Sequence, residues 1–181
     1  MRNIIPFLCL CLLCGCSFSR TVETDEAGIR TRYRDLTKTT LRAEVSAEFS
    51  DRVSTYLLDY VYRKDGESCI TVVEPESIAG ITVKLSGETP ILSVGETSLE
   101  TGALDENGLT PISALPRLIR LWESSAAQVE AVKENGKEYL LAVYEENDCV
   151  YRTLFSRESY LPVRGEIFSA DKCVLRVRFV T

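Results

Sequence analysis

Ser169-Ala170-Asp171-Lys172 has the spacing S-x-x-K, in which a lysine one helical turn away activates a serine for acyl transfer. That chemistry needs both residues at a helix start. Here the four residues fall between two segments that read as strands, so they read as a hairpin turn. Neither S-D-N nor K-T-G accompanies them. Carboxylate pairs come next: Glu145 with Glu146, and Glu74 with Glu76. Glycoside hydrolysis needs two carboxyls roughly 5–10 Å apart across a cleft. Neighbours on a strand point to opposite faces, so Glu145 and Glu146 read as a solvated strand end. The chain contains no histidine. That removes Ser-His-Asp and Cys-His nucleophile pairs, the commonest zinc ligand sets, and the side chain best suited to proton transfer near neutral pH. No catalytic residue, metal ligand or cofactor is expected, and the protein is read as a non-enzyme.

One thiol does stand in a chemical context. The chain starts Met1-Arg2-Asn3, and Ile4 to Leu13 is an apolar run interrupted only by Pro6. That run is too short for a bilayer, which needs roughly 20 residues. A basic start and a short apolar core read as a secretory signal. Leu13-Cys14-Gly15-Cys16 closes it and resembles the bacterial lipobox. There a peptidase cuts between Gly15 and Cys16, and the Cys16 thiol carries a diacylglycerol thioether. Cys9, Cys11 and Cys14 are ordinary apolar members of the signal. The expected organisation is a signal peptide over 1–15, a lipidated tether over 16–23, and one domain over 24–181. Seven tether residues after Cys16 would reach at most roughly 25 Å, which keeps the domain at the outer face of the cell membrane. Buried methylenes contribute about 0.8 kcal/mol each, so two or more acyl chains anchor stably.

The charge balance agrees with a lipid anchor. Cleavage after Gly15 removes only Arg2 from the charged set, leaving 166 residues with 20 basic and 27 acidic side chains, net −7. An acidic surface disfavours nucleic acid and gives no polybasic membrane-binding face. Cys69, Cys149 and Cys173 remain besides Cys16. An odd count allows one disulfide at most, and free thiols are the expected state.

The elements that must carry these residues show in the periodicity. Residues 24–36 read as a helix, with Ile29, Tyr33 and Leu36 on one face and Gly28 weakening it. The period then switches to two: Leu41, Ala43, Val45, Ala47 and Phe49 alternate with polar residues. Strands are expected over 40–49, 53–63, 68–73, 81–85, 90–94, 97–100, 128–134, 138–145, 149–155, 161–168 and 172–180. A helical turn at 77–79 follows Pro75. In the last strand, Cys173, Leu175, Val177 and Phe179 share one face, and Arg176 and Arg178 the other. Residues 111–125 form the clearest amphipathic helix: Leu115, Leu118, Ile119 and Trp122 make its apolar stripe, Arg117, Arg120 and Glu123 face elsewhere, and Pro116 sits in its first turn.

Taken together, the lipobox, the leading helix, about eleven hairpin-linked strands and the mid-chain helix resemble the lipoprotein-localisation family of LolA, LolB and RseB. "VVEPESIAGITV" (72–83) and "SYLPVRGEIFSADKCVLRVRF" (159–179) are similar to passages of that family. The resemblance implies an α+β fold: an incomplete antiparallel barrel whose open side is covered by the two helices. Within the family, the small, acidic, His-free domain resembles the clostridial spore-germination lipoproteins of the GerS type. These bind and support a cell-wall amidase without catalysis. Two functions follow as expectations. One is a membrane-anchored lipoprotein that supports a protein partner, with a peptidoglycan amidase as the named case. The other is a lipid or lipoprotein carrier with an acyl chain beneath the central helix. The Leu115/Leu118/Ile119/Trp122 stripe fits either, as core packing or as the lid of an apolar groove. Free sheet edges would also allow partner binding or self-association through strands.

Overall fold

Alternation along the chain builds a single sheet with one dry face and one wet face. The computed structural model describes residues 18–49, 52–86 and 89–180, with side chains described for 24–48, 52–86 and 89–180. Helix α1 spans Phe18–Arg34. Six strands follow: β1 Lys38–Phe49, β2 Arg52–Arg63, β3 Ser68–Glu74, β4 Thr82–Leu85, β5 Ile91–Val94 and β6 Thr97–Glu100. Helix α2 is Pro111–Ser124, and five strands complete the chain: β7 Gln128–Glu134, β8 Lys137–Glu146, β9 Cys149–Ser156, β10 Pro162–Ser169 and β11 Lys172–Val180. All neighbours pair antiparallel, in the order β6-β5-β4-β3-β2-β1-β11-β10-β9-β8-β7. The first and last strands of that order do not meet, so the barrel is open, as the family resemblance implied.

The concave face carries the core. Ala43, Val45, Leu58, Tyr60, Ile70, Tyr151, Phe155, Ile167, Leu175 and Val177 are all buried there. The convex face is wet and laced with ion pairs. Arg42 bonds both oxygens of Asp59 at 2.7 and 2.6 Å, and Arg178 reaches Glu44 at 2.7 Å. Exposed pairs of this kind contribute about 0–1 kcal/mol each. Burial in the concave face supplies the larger part of the stability.

Small residues make room for α2. Ala142, Thr153, Gly165, Val177 and Val45 form one cross-strand row on the concave face. A Cβ on Gly165 would stand 3.4 Å from Leu118 Cδ1, so the bare glycine lets the helix lie close to the sheet. Thr110 caps α2: its hydroxyl accepts from Ser113 N–H at 3.3 Å, and Ser113 Oγ accepts from Thr110 N–H at 3.1 Å. Pro111 fills the first helical position.

The structure differs from the sequence-based expectation at five places. α1 starts at Phe18 rather than 24, so the segment read as tether over 18–23 is helical backbone. Six helical residues rise only about 9 Å, which shortens the expected reach from the lipid. Pro116 lies inside α2, a turn beyond its start. Arg117, read as facing away from the apolar stripe, is itself buried: its guanidinium lies 5.2 Å from the Tyr151 ring centre and bonds Glu146 at 2.6 Å. The pairing with a carboxylate and an aromatic face offsets the desolvation of the charge. A bulge in β11 pairs Ile167 with Leu175 but Phe168 with Cys173. It turns Cys173 to the convex face, and Val174 packs on the core in its place. The short turn after Pro75 is a 3-10 turn at Glu76–Ile78, one residue early.

Candidate functional site

Five residues of α2 point into the sheet with almost no exposure: Leu115 and Leu118 at 0%, and Ile119, Leu121 and Trp122 at 1%. Trp122 is the hub. Its indole N–H donates to the Thr153 hydroxyl at 3.1 Å. Its ring centre lies 4.8 Å from Tyr33, 5.3 Å from Phe155 and 5.8 Å from Phe179, within the range where tilted aromatic pairs attract. Tyr33 comes from α1 and donates its hydroxyl to the Tyr160 carbonyl at 3.0 Å. So both helices and strands β9 and β11 converge on one aromatic cluster. Leu115, Leu118, Ile119 and Trp122, the stripe read from the sequence, are brought together here.

Burial in this face acts on the phenols. It pushes the Tyr60 hydroxyl up to about 12, and those of Tyr33 and Tyr144 higher still. Each phenol is therefore held neutral far above physiological pH. On the convex face, the hydrogen bonds from Arg42 hold the Asp59 carboxyl below the usual carboxylate range. Burial pushes the Cys173 thiol up, which lowers its thiolate fraction and its reactivity. Cys69, Cys149 and Cys173 are free thiols.

The other chemical candidates are placed as follows. Ser169 and Lys172 pair across the β10–β11 hairpin, and Ala170 and Asp171 take the left-handed turn positions between them. That is a turn and not a helix start, so the lysine is not set to activate the serine. Glu145 and Glu146 are both exposed at the end of β8, and Glu146 serves as the partner of Arg117. Among the described residues, no group of His, Cys, Asp and Glu could hold a metal ion. Gly15 and Cys16, the processing and lipidation positions, lie outside the described residues.

Two open depressions mark the surface. One lies where Lys137, Glu138 and Tyr139 meet Arg157 and Val163. The other lies at the tips of the β8–β9 and β10–β11 hairpins, beside Glu145, Asp148, Phe168 and Asp171. Neither is lined by a residue of α2. What periodicity alone could not indicate is the exposure of the β5–β6 hairpin. All four residues of β6 are exposed, with Leu99 at 65%, and Val94 of β5 stands at 49%. The shortness of these two strands was the available signal.

No family model and no curated protein matches the sequence. Solved structures do resemble it. A conserved protein from Thermus thermophilus superposes with a TM-score of 0.53 at 10% identity, covering 87% of this chain and 84% of that one. LprF from Mycobacterium bovis does so with a TM-score of 0.51 at 8% identity, covering 90% and 92%. The LolA superfamily protein NE2245 from Nitrosomonas europaea gives 0.45 at 9% identity, covering 88% and 91%. Likeness at these identities concerns the fold. With its eleven antiparallel strands, open margin and two helices on the concave face, this chain shares the fold of the Thermus thermophilus protein and LprF.

Proposed function

We propose that this protein is a lipid-anchored, extracytoplasmic lipoprotein that works without catalysis, by binding and supporting a protein partner. The Leu13-Cys14-Gly15-Cys16 motif supports the anchor. One observation carries the choice of partner over lipid cargo: the apolar stripe of α2 is 0–1% exposed and bonded through Trp122 to Thr153. An acyl chain would have to displace an aromatic cluster already in contact, at a cost of lost packing. Binding then belongs to the outer surfaces and the free margins of the sheet. The sequence resemblance to clostridial spore-germination lipoproteins names the partner class, a cell-wall amidase that prepares spore cortex for degradation.

The test uses the lipidated protein held in detergent. Mild denaturation and mass spectrometry of the extract should return no acyl lipid in proportion to protein beyond that on Cys16. A purified peptidoglycan amidase from the same cell should bind it and gain activity. A stoichiometric free acyl lipid in the extract would instead establish the carrier role.

A further inference from the structure

The two margins of the sheet are unlike. β7 carries Glu130, Lys133 and Glu134 along its length, and α1 packs beside it. Charge and cover of this kind discourage the addition of another strand. β6 has neither. The register Leu92↔Leu99 and Val94↔Thr97 puts Leu92, Val94 and Leu99 on one face. That face runs on through Val83 and Ile70 into the core. The apolar side of the sheet therefore continues past the helices and ends in the open at Leu99.

The backbone of this margin is also available. Thr101 N–H donates to the Pro90 carbonyl at 3.0 Å. Alternation along an antiparallel ladder then directs Leu99 and Thr97 toward β5, and turns the N–H and C=O of Ser98 and Glu100 outward. Charge supplies the third observation. From 85 to 116 the sequence has no Lys or Arg and five acidic residues, Glu88, Glu96, Glu100, Asp105 and Glu106. A second copy laid antiparallel on β6 would bring two such acidic sets within about a Debye length of roughly 10 Å, where like charges repel.

We infer that β6 accepts, by strand addition, an extended segment of a partner protein that alternates apolar residues with Lys or Arg. This deepens the partner-support reading and rests on it. The partner's apolar residues extend the Leu92–Leu99 face, its backbone pairs with Ser98 and Glu100, and its cations meet Glu96 and Glu100. Main-chain bonds supply affinity, and the alternate side chains supply selectivity.

The probes are two eight-residue peptides, one alternating Val with Lys and one alternating Val with Glu, titrated into isotope-labelled protein and followed by amide resonances. The Val/Lys peptide should shift the Ser98 and Glu100 amides and bind at least tenfold more tightly than Val/Glu. Ser98→Pro removes an outward donor without touching the β5 ladder, and should weaken binding tenfold or more. Glu96→Lys combined with Glu100→Lys should invert the preference between peptides. Equal binding of both peptides, indifference to Ser98→Pro, or a free protein with the mass of a dimer and β6 already protected would overturn the inference. Amidase bound alike by the protein and its Ser98→Pro variant would also overturn it, while leaving the partner role standing. Failure of the amidase to bind, with Val/Lys still engaging β6, would uphold the edge and remove the amidase as partner.

Discussion

Trp122 and Thr153 meet through a 3.1 Å hydrogen bond between side chains that are 1% and 0% exposed. The bond ties the last turn of α2 to β9, at the row of small residues that lets the helix approach. It fixes the depth and rotation of α2, because only one position satisfies both the indole N–H and the packing around it. Trp122→Ala should cost about 3–5 kcal/mol, the usual range for deleting a buried aromatic. Trp122→Phe keeps most of the area but leaves the Thr153 hydroxyl unpaired, for about 1–3 kcal/mol. Adding Thr153→Val to Trp122→Phe should recover part of that loss. Urea unfolding of the three variants measures this. Little change in Trp122→Ala, with weakened ligand binding, would show a lid over a groove.

Gly28 and Tyr160 make a second prediction. A Cβ on Gly28 would stand 2.6 Å from the Tyr160 ring, so the glycine that weakens α1 by propensity is where the ring lies against the helix. Gly28→Ala should therefore destabilise by about 1–3 kcal/mol through overpacking, despite a helix propensity gain of about 1 kcal/mol. In a Tyr160→Ala background the same change should stabilise. Equal effects in the two backgrounds would separate the residues.

Alkaline pH gives a third. Burial makes the folded protein hold the protons of Tyr33, Tyr60 and Tyr144 more tightly than the unfolded chain, whose tyrosines ionise near 10. A raised folded pKa means this stability is complete below pH 10 and drains as pH rises above it, for Tyr60 until about 12. Tyr60 alone accounts for a loss of about 2–3 kcal/mol across that window. The urea midpoint should fall steeply from pH 10 upward, and Tyr60→Phe should flatten the fall. An unchanged slope in the variant would assign the loss to other groups.

The anchor gives a fourth. Cys16→Ala removes the thiol on which the lipid is expected, and should move the protein from the membrane fraction to the soluble fraction. Its urea midpoint should match that of the parent, since among the described residues burial starts at Asp25 and Ile29. Membrane retention of the variant would contradict the lipobox reading.

The strands, their turns and the apolar stripe of α2 were legible in the residues because they are local. A period of two with one buried face admits a single register, and Asn135-Gly136 marks its turn by conformation alone. Leu115, Leu118, Ile119 and Trp122 declared a common face through helical spacing. Arg117 and Cys173 did not show their true positions. Arg117 turns inward because Glu146 and Tyr151, remote in sequence, compensate its charge. Cys173 turns outward because one bulge reverses the parity that alternation assumes.

By itself, the sequence determined the hairpin-linked antiparallel strands, the apolar stripe of α2 and the absence of a histidine side chain, all of which depend on residue type and short-range spacing. The open barrel was implied by the family resemblance, and the lipid anchor at Cys16 is an expectation from the lipobox. Tertiary structure alone decided that the space beneath α2 is filled, through contacts among Tyr33, Trp122, Phe155 and Phe179. It also decided that β6 and not β7 is the bare margin. Filling a volume and covering an edge depend on which distant segments meet, and no local pattern encodes that meeting.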